Sequence, residues 1–600
     1  MKKYIVSILV LIIYILGQGY TLAKPAEVGD IIYKQSSKTA NVINPTALNN
    51  AAGAFFPGLR GANQLVIYTP EFGTRTNTNE FGSEAIVVNN IAIQLNGADS
   101  IIPKDGFVIS GHGSAKKWIN ENIVEGTKVY YNPQTRVITT YLTPDSFIFN
   151  AQNKIDEVNS IIEYYKDNCP YYNLKKTKFY LGKAKTLIKD AKKHPDKVQK
   201  TASLSAHAAQ RAMENAIPYM NDELKGVWLR PTETTEKDII STIIRLHQAG
   251  IDNIFLETYF HGKTIFPSYI LQKYGVINQR EEFAGFDPLQ IWVKEAHARG
   301  MKIHAWFETF YVGNTPPENT PNSILAVYPQ WGNKTKAKYD SELAVPSISE
   351  HNGYFIDPAN PDVQTFVLEI AEEILTKYDV DGINLDYIRY PQSIDSKYTG
   401  YDKTNWGYSE FCREDFQLRF GIDPIEINYG TPEWEQWAKY RQEKITQTVR
   451  AFRVLTQKKG KMLTAVIFPD RRKSLDTKMQ DWKAWSQANL VDGFTPLILT
   501  CDKQTANSLI RDITTNSSKN TKIYAGIFVP FMNGSSEDML RQIHESRKLK
   551  TDGVIFFDYA HFKDSYIDSL KQSVCNPVLE KKAIENELKN AKSEFSNKRK

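Results

Sequence analysis

Cysteine is scarce: the 600 residues hold only Cys169, Cys412, Cys501 and Cys575. Their wide separation gives no metal-ligand spacing and at most a sparse disulfide set, and nothing suggests a thiol nucleophile. Charge of one sign is also lacking. The 74 basic and 68 acidic residues leave a net +6, too little for a nucleic-acid surface. After Ala23 no apolar run is long enough to cross a bilayer, so no membrane span is expected once the N-terminal segment is removed. GxGxxG and Walker loops, HExxH, EF-hand loops and GxSxG elbows are all missing. Those gaps argue against nucleotide, metal and serine-esterase chemistry, and no cofactor or metal is expected.

What is present begins with an export signal. Lys2 and Lys3 precede an apolar run from Ile5 to Leu16, and Thr21-Leu22-Ala23 supplies small residues for cleavage. Residues 1–23 read as a signal peptide, which places the mature chain outside the cell, in the periplasm or at the cell envelope. Residues 24–60 lack periodicity and read as a linker. Short strand-like runs separated by Gly, Asn, Asp and Pro mark a small β domain over 61–150. Helical spacing over 151–221 predicts a hairpin bridging two domains, and 571–600 forms a charged helical tail. The chain carries 10 Trp, 32 Tyr and 29 Phe. That content suits a carbohydrate-stacking enzyme, although an aromatic core is the commoner explanation.

Between 222 and 570 strands and helices alternate. Eight candidate strands start near 225, 253, 302, 382, 462, 493, 523 and 553. Asn360 and Pro361 suit the cap and first turn of a helix with Val363, Val367, Ile370 and Ile374 on one face. Thr235 with Asp238 offers another helix start. The fold class expected is α/β: a (β/α)8 TIM barrel with an N-terminal small β domain and a helical linker. An open doubly wound sheet is the competing arrangement, disfavoured by the strand count and by polar residues at so many strand ends.

In such a barrel the C-terminal strand ends share one cleft. The fourth strand, DGINLDYIRYP, ends in Asp386, Tyr387 and Arg389, a density of charge that is costly to bury without partners. Other strand ends contribute Arg230, Glu257, Tyr259, His304, Trp306, Glu308, Asp470 and Asp558. Several carboxylates among aromatics and arginines fit glycosidic-bond cleavage, in which one carboxyl protonates the leaving oxygen and another attacks or activates water. Asp386 is the expected nucleophile or base, and Glu308 leads the acid candidates ahead of Glu257 and Asp470. Arg230, Tyr259, His304, Trp306, Tyr387, Arg389 and Asp558 are expected to contact sugar. Each has a plainer role available: Asp386 pairing with Arg389, Asp470 capping a helix, His304 lying in the core.

The ordered segments GVWLRP, HAW at His304–Trp306, DPANPDV at Asp357–Val363, DGINLDYIRYP at Asp381–Pro391 and QDWKAW at Gln480–Trp485 resemble the glycosyl hydrolase-like 10 family. The resemblance covers roughly 224–560. It implies an exported TIM-barrel glycosidase acting on an extracellular polysaccharide or a peptidoglycan glycan strand, with a nucleophile at Asp386. Where relatives carry PM-x-Y after the sixth strand, this chain has Pro496 to Leu499, without the tyrosine. That departure keeps a non-catalytic glycan-binding scaffold as the alternative. Residues 65–115 faintly resemble part of a phosphodiester glycosidase-like β domain, read as an accessory module.

Overall fold

The computed structural model describes residues 36–575, apart from 44–62, 77, 79–81, 97–99, 170–173, 394–404, 501–502 and 533–534. The expected signal peptide, Cys501 and the tail beyond Cys575 lie outside the described residues. Cys169, Cys412 and Cys575 are buried free thiols.

Eight parallel strands close into a barrel: β1 (Leu224–Leu229), β2 (Asn253–Phe260), β3 (Lys302–Glu308), β4 (Gly382–Asp386), β5 (Met462–Ile467), β6 (Gly493–Ile498), β7 (Lys522–Phe528) and β8 (Gly553–Phe557). Pairing runs in sequence order and β8 returns to β1, so no edge is left open. All eight strands fall where periodicity predicts them. Alternation sends Trp228, Phe255, Trp306, Val466, Tyr524 and Ile555 into the barrel, while their neighbours pack under the helices. Asn360 caps the helix α1 (Pro361–Lys377), accepting from the Asp362 N–H at 2.9 Å, and α1 buries the predicted apolar face.

A fourfold stitch holds the N-terminal end. Asp252, Asp381, Asp492 and Asp552 stand just before the even-numbered strands. Their carboxylates accept from the backbone N–H of Lys225, Ile303, Leu463 and Ile523 on the preceding strands, at 2.8–2.9 Å. The backbone of each Asp bridges the same neighbours: Asp552 receives an N–H from Leu224, which closes the ring at this end. Backbone groups at a barrel rim thus find partners without relying on water.

The N-terminal module is a seven-stranded closed sheet, and the segment read as a linker contributes to it. Ser36–Ile43 pairs antiparallel with Val137–Leu142, because backbone pairing asks nothing of side-chain periodicity. Three helices follow rather than a hairpin: Pro144–Asn168, Lys175–Lys193 and Val198–Ala216. The first starts at Pro144, where the Thr143 N–H donates to Ser146 Oγ at 3.2 Å. A buried pair, Arg547–Glu223 at 2.5 Å, ties a barrel helix to the segment leading into β1. Among the described residues no helix is long and apolar enough to cross a membrane.

Candidate active site

Three carboxylates crowd the C-terminal end of β2, β3 and β4. Asp386 and Glu308 are register partners on adjacent strands, pointing to the same side of the barrel wall. Trp306 Nε1 donates to Asp386 Oδ2 at 2.9 Å, and the Tyr387 N–H donates to Oδ1 at 2.7 Å. That second bond is possible because Tyr387 turns into the left-handed region (φ 47°) directly after the strand. Glu308 is held from outside the barrel. The tight turn after β2 has His261 at φ 51° and Gly262 at φ 74°, the pattern of a type I′ hairpin, and it aims the His261 N–H at Glu308 Oε2, 2.8 Å away. Glu308 Oε1 makes no hydrogen bond among the described residues.

A register shift between β2 and β3 decides what else reaches the site. Trp306 aligns with Glu257, but Phe307 aligns with Tyr259, leaving Thr258 as the extra residue. Such a bulge bends the strand and re-aims the side chains beyond it. Glu257 faces the barrel interior and is gripped by Arg230 through two hydrogen bonds of 2.6 and 2.9 Å. Arg280 adds a second cation at 4.0 Å. Arg230 lies over Phe260 and Trp306, with its centre 4.5 and 5.6 Å from their rings.

Burial and mutual repulsion divide the charge among the three. A bidentate guanidinium grip requires an ionised carboxylate, so Glu257 is the charged partner of Arg230, although burial pushes its carboxyl up to about 7. Burial, then the neighbouring Glu257, hold Glu308 well above the carboxylate range, so it carries the proton. Asp386 is also raised by burial, but Trp306, the Tyr387 N–H and the nearby Arg389 and Arg230 all favour its charged form. The site therefore sets a protonated carboxyl beside an ionised one.

The structure gathers Asp386, Glu308, Glu257 and Arg230, with Asp558 close enough for Arg230 to feel its charge. Asp558 itself contacts His561 Nδ1 at 2.6 Å. Tyr387 is half-buried and stacks on Tyr311 at 4.6 Å. Other expected site residues fall elsewhere. His304 lies near the N-terminal end of β3, fully buried against Phe255, with Nε2 2.8 Å from Asn253 Oδ1, so it cannot meet a sugar. Beyond the bulge Tyr259 packs on Phe307 in the helix-facing layer. Asp470 is exposed and caps the helix at Arg471–Lys478, accepting from the Lys473 N–H at 2.9 Å. Trp306 is buried and spends its N–H on Asp386, so it positions the carboxylate instead of stacking on substrate. Arg389 neither pairs with Asp386 nor reaches the cleft as a free cation. It is buried, and Nη1 donates to Glu350 at 2.6 Å.

Sequence reading missed Glu350, Arg280 and Asn384. Asn384 stands two residues before Asp386, so strand alternation already put it on the same face. Its side chain joins Trp228, Thr464 and Thr495 across the barrel interior at 2.9–3.1 Å. Glu350 and Arg280 lie in loops, where no periodicity marks them. Among the described residues no group of His, Cys, Asp and Glu could hold a metal ion.

A closed parallel barrel with a split pair of carboxyls at its strand ends defines a glycoside hydrolase-like protein. The chain belongs to the glycosyl hydrolase-like 10 family, whose profile matches residues 223–537. It is 31% identical over 163 residues to glycosyl hydrolase DigH of Escherichia coli K12, covering 27% of this chain and 36% of that one. Against glycosyl hydrolase YngK of Bacillus subtilis identity is 25% over 208 residues, covering 30% and 36%. The chain thus spans about a third of the length of these curated relatives. Among solved structures, the catalytic domain of a β-amylase from Paenibacillus polymyxa aligns at 12% identity and TM-score 0.42, over 60% of this chain and 99% of that one.

Proposed function

We propose that this protein is an exported glycoside hydrolase cutting a bacterial cell-wall glycan or an extracellular polysaccharide. The observation that carries the reading is the split between Glu308, kept protonated by burial beside Glu257, and Asp386, held ionised by donors on both oxygens. Glu308 protonates the departing glycosidic oxygen while Asp386 attacks the anomeric carbon or draws the proton from a water that does. Neighbouring strands lie about 4.8 Å apart. Register-paired carboxyls at that spacing favour the close separation of a retaining enzyme, with Asp386 as the nucleophile. Arg230, fixed by Glu257, presents its exposed flank to the sugar, and Tyr387 supplies a ring at the cleft edge.

The test is digestion of peptide-stripped peptidoglycan and a panel of polysaccharides, with products read by mass and the first-formed anomer by NMR. Cleavage by the parent that survives in Asp386→Asn would refute the assignment. The N-terminal reading is checked by sequencing the mature chain from the cell envelope and medium. A non-catalytic glycan-binding scaffold is the second reading, favoured by Leu499. That side chain is exposed where relatives place a tyrosine. Glycan binding without turnover would establish that alternative.

A further inference from the structure

Two residues at the cleft have left-handed backbone, and each aims its own N–H at one of the two carboxyls assigned to the reaction. His261 (φ 51°) donates to Glu308 Oε2 at 2.8 Å, and Tyr387 (φ 47°) donates to Asp386 Oδ1 at 2.7 Å. Such backbone is disfavoured for a residue with a bulky side chain and persists only where the surroundings hold it. The two residues stand on different loops, after β2 and after β4. One side chain touches both. The Tyr311 ring meets the His261 ring edge-on at 5.2 Å and stacks on Tyr387 at 4.6 Å.

Tyr311 has a firm base. It follows β3 in a short ribbon, where the Val312 N–H donates to the Tyr354 carbonyl at 2.9 Å and the Tyr354 N–H to Gly313 at 2.7 Å. The Ile356 N–H closes the other side on the Phe310 carbonyl at 2.9 Å. Tyr311 is buried, with Phe355 packed edge-on at 5.1 Å. Gly353 makes room for the ring, because a Cβ there would overlap Tyr311 Cε2. Arg389 completes the hold on Tyr387. Its guanidinium centre lies 4.7 Å from that ring, and its N–H donates to the Tyr387 carbonyl at 2.9 Å.

We infer that Tyr311 is a positioning residue shared by the two carboxyls: its ring fixes His261 and Tyr387 in the conformations that aim their N–H groups at Glu308 and Asp386. The inference rests on the hydrolytic reading of those carboxyls, but its first test does not need turnover. A crystal structure of Tyr311→Leu should show both N–H groups withdrawn beyond about 3.5 Å from their carboxyls. Either bond left intact would overturn the shared role.

Kinetics on glycan supply the second test. Tyr311→Leu should lower kcat by about tenfold and leave KM within about twofold of the parent. Each N–H favours the ionised form of its carboxyl, so losing it raises both groups. Asp386 reacts ionised and Glu308 protonated, so both limbs of the pH–rate profile should move to higher pH together. The other charged groups facing the pair are Glu257 on β2, Arg230 after β1 and Arg389 after β4, and the variant removes none of them. His261, lowered to about 4 by burial, is neutral across that range. A rise in KM alone would mean that the ring touches sugar, and that result, parent-like kinetics or movement of a single limb would each overturn the inference. Tyr311→Phe keeps the stack and should restore kcat to within about twofold of the parent. A loss as large as that of leucine would assign the effect to the hydroxyl and overturn the inference too. Tyr311→Met fills the space without a ring and replaces leucine in both tests if leucine does not fold. Cleavage surviving in Asp386→Asn would refute the hydrolytic reading instead, and the structural test would still decide what Tyr311 holds.

Discussion

The two ends of the barrel use acidic residues in opposite ways. At the N-terminal end Asp252, Asp381, Asp492 and Asp552 stand one per strand pair, each spent on a backbone N–H of the preceding strand. At the C-terminal end Glu257, Glu308 and Asp386 occupy three consecutive strands; burial raises all three, Glu257 and Asp386 push Glu308 further up, and Asp386 does the same to Glu257. Separated carboxylates with donors of their own stabilise the fold. Crowded ones, with too few donors to ionise them all, hold a proton near neutral pH. The difference lies in spacing and donor supply, not in residue type.

Substitutions at either end can break or sharpen that contrast. The largest effect is expected from Asp386→Asn, a loss of glycan cleavage of about 10²–10⁴-fold with the melting temperature unchanged. Glu308→Gln should cost activity on a similar scale and also stabilise the protein at alkaline pH. The sign follows from the raised carboxyl: its contribution to stability is complete below the ordinary value of 4.5 and is lost as pH rises through the folded-state value. Melting temperature should therefore fall with pH in the parent more than in Glu308→Gln; parallel profiles would remove the proton from Glu308. Trp306→Phe keeps the ring but deletes one donor to Asp386, so activity should drop about tenfold. The acid limb of the rate profile should move to higher pH, because the ionised form loses support. Smallest is Asp552→Ala at the opposite end, expected to cost about 1–2 kcal/mol by denaturant titration with activity per folded molecule retained. If this variant lost activity as Asp386→Asn does, the division between the ends would fail.

Much of the barrel was legible because inward and outward alternation is written into each strand, and the start of β4 shows where that reading stops. Asp381-Gly382 looks like a turn in isolation. Its role as one of four equivalent stitches appears only once each Asp is seen reaching the strand before it. Asp386 and Glu308 were legible from their place as last residues of their strands. His304 was misplaced because it comes early on β3, whereas the cleft of such a barrel lies at the late ends of the strands. Tyr259 was misplaced by the bulge at Thr258: one extra residue exchanges the two faces, and composition does not announce it. The pairing of Arg389 with Glu350 joins two separate loops, and no local pattern encodes it.

That pairing has a mechanical consequence. Glu350 follows β3, Arg389 follows β4, and Lys478, 3.6 Å from Glu350, follows β5, so three successive rim loops meet in one buried knot. Burial and the nearby Arg389 push the Lys478 amine well below its usual range, a sign of how little water reaches the knot. Separating these loops would strand buried charge at a cost of about 3–5 kcal/mol. A rim fastened in this way is a wall and not a door. Access to the strand-end cleft does not depend on this side swinging open.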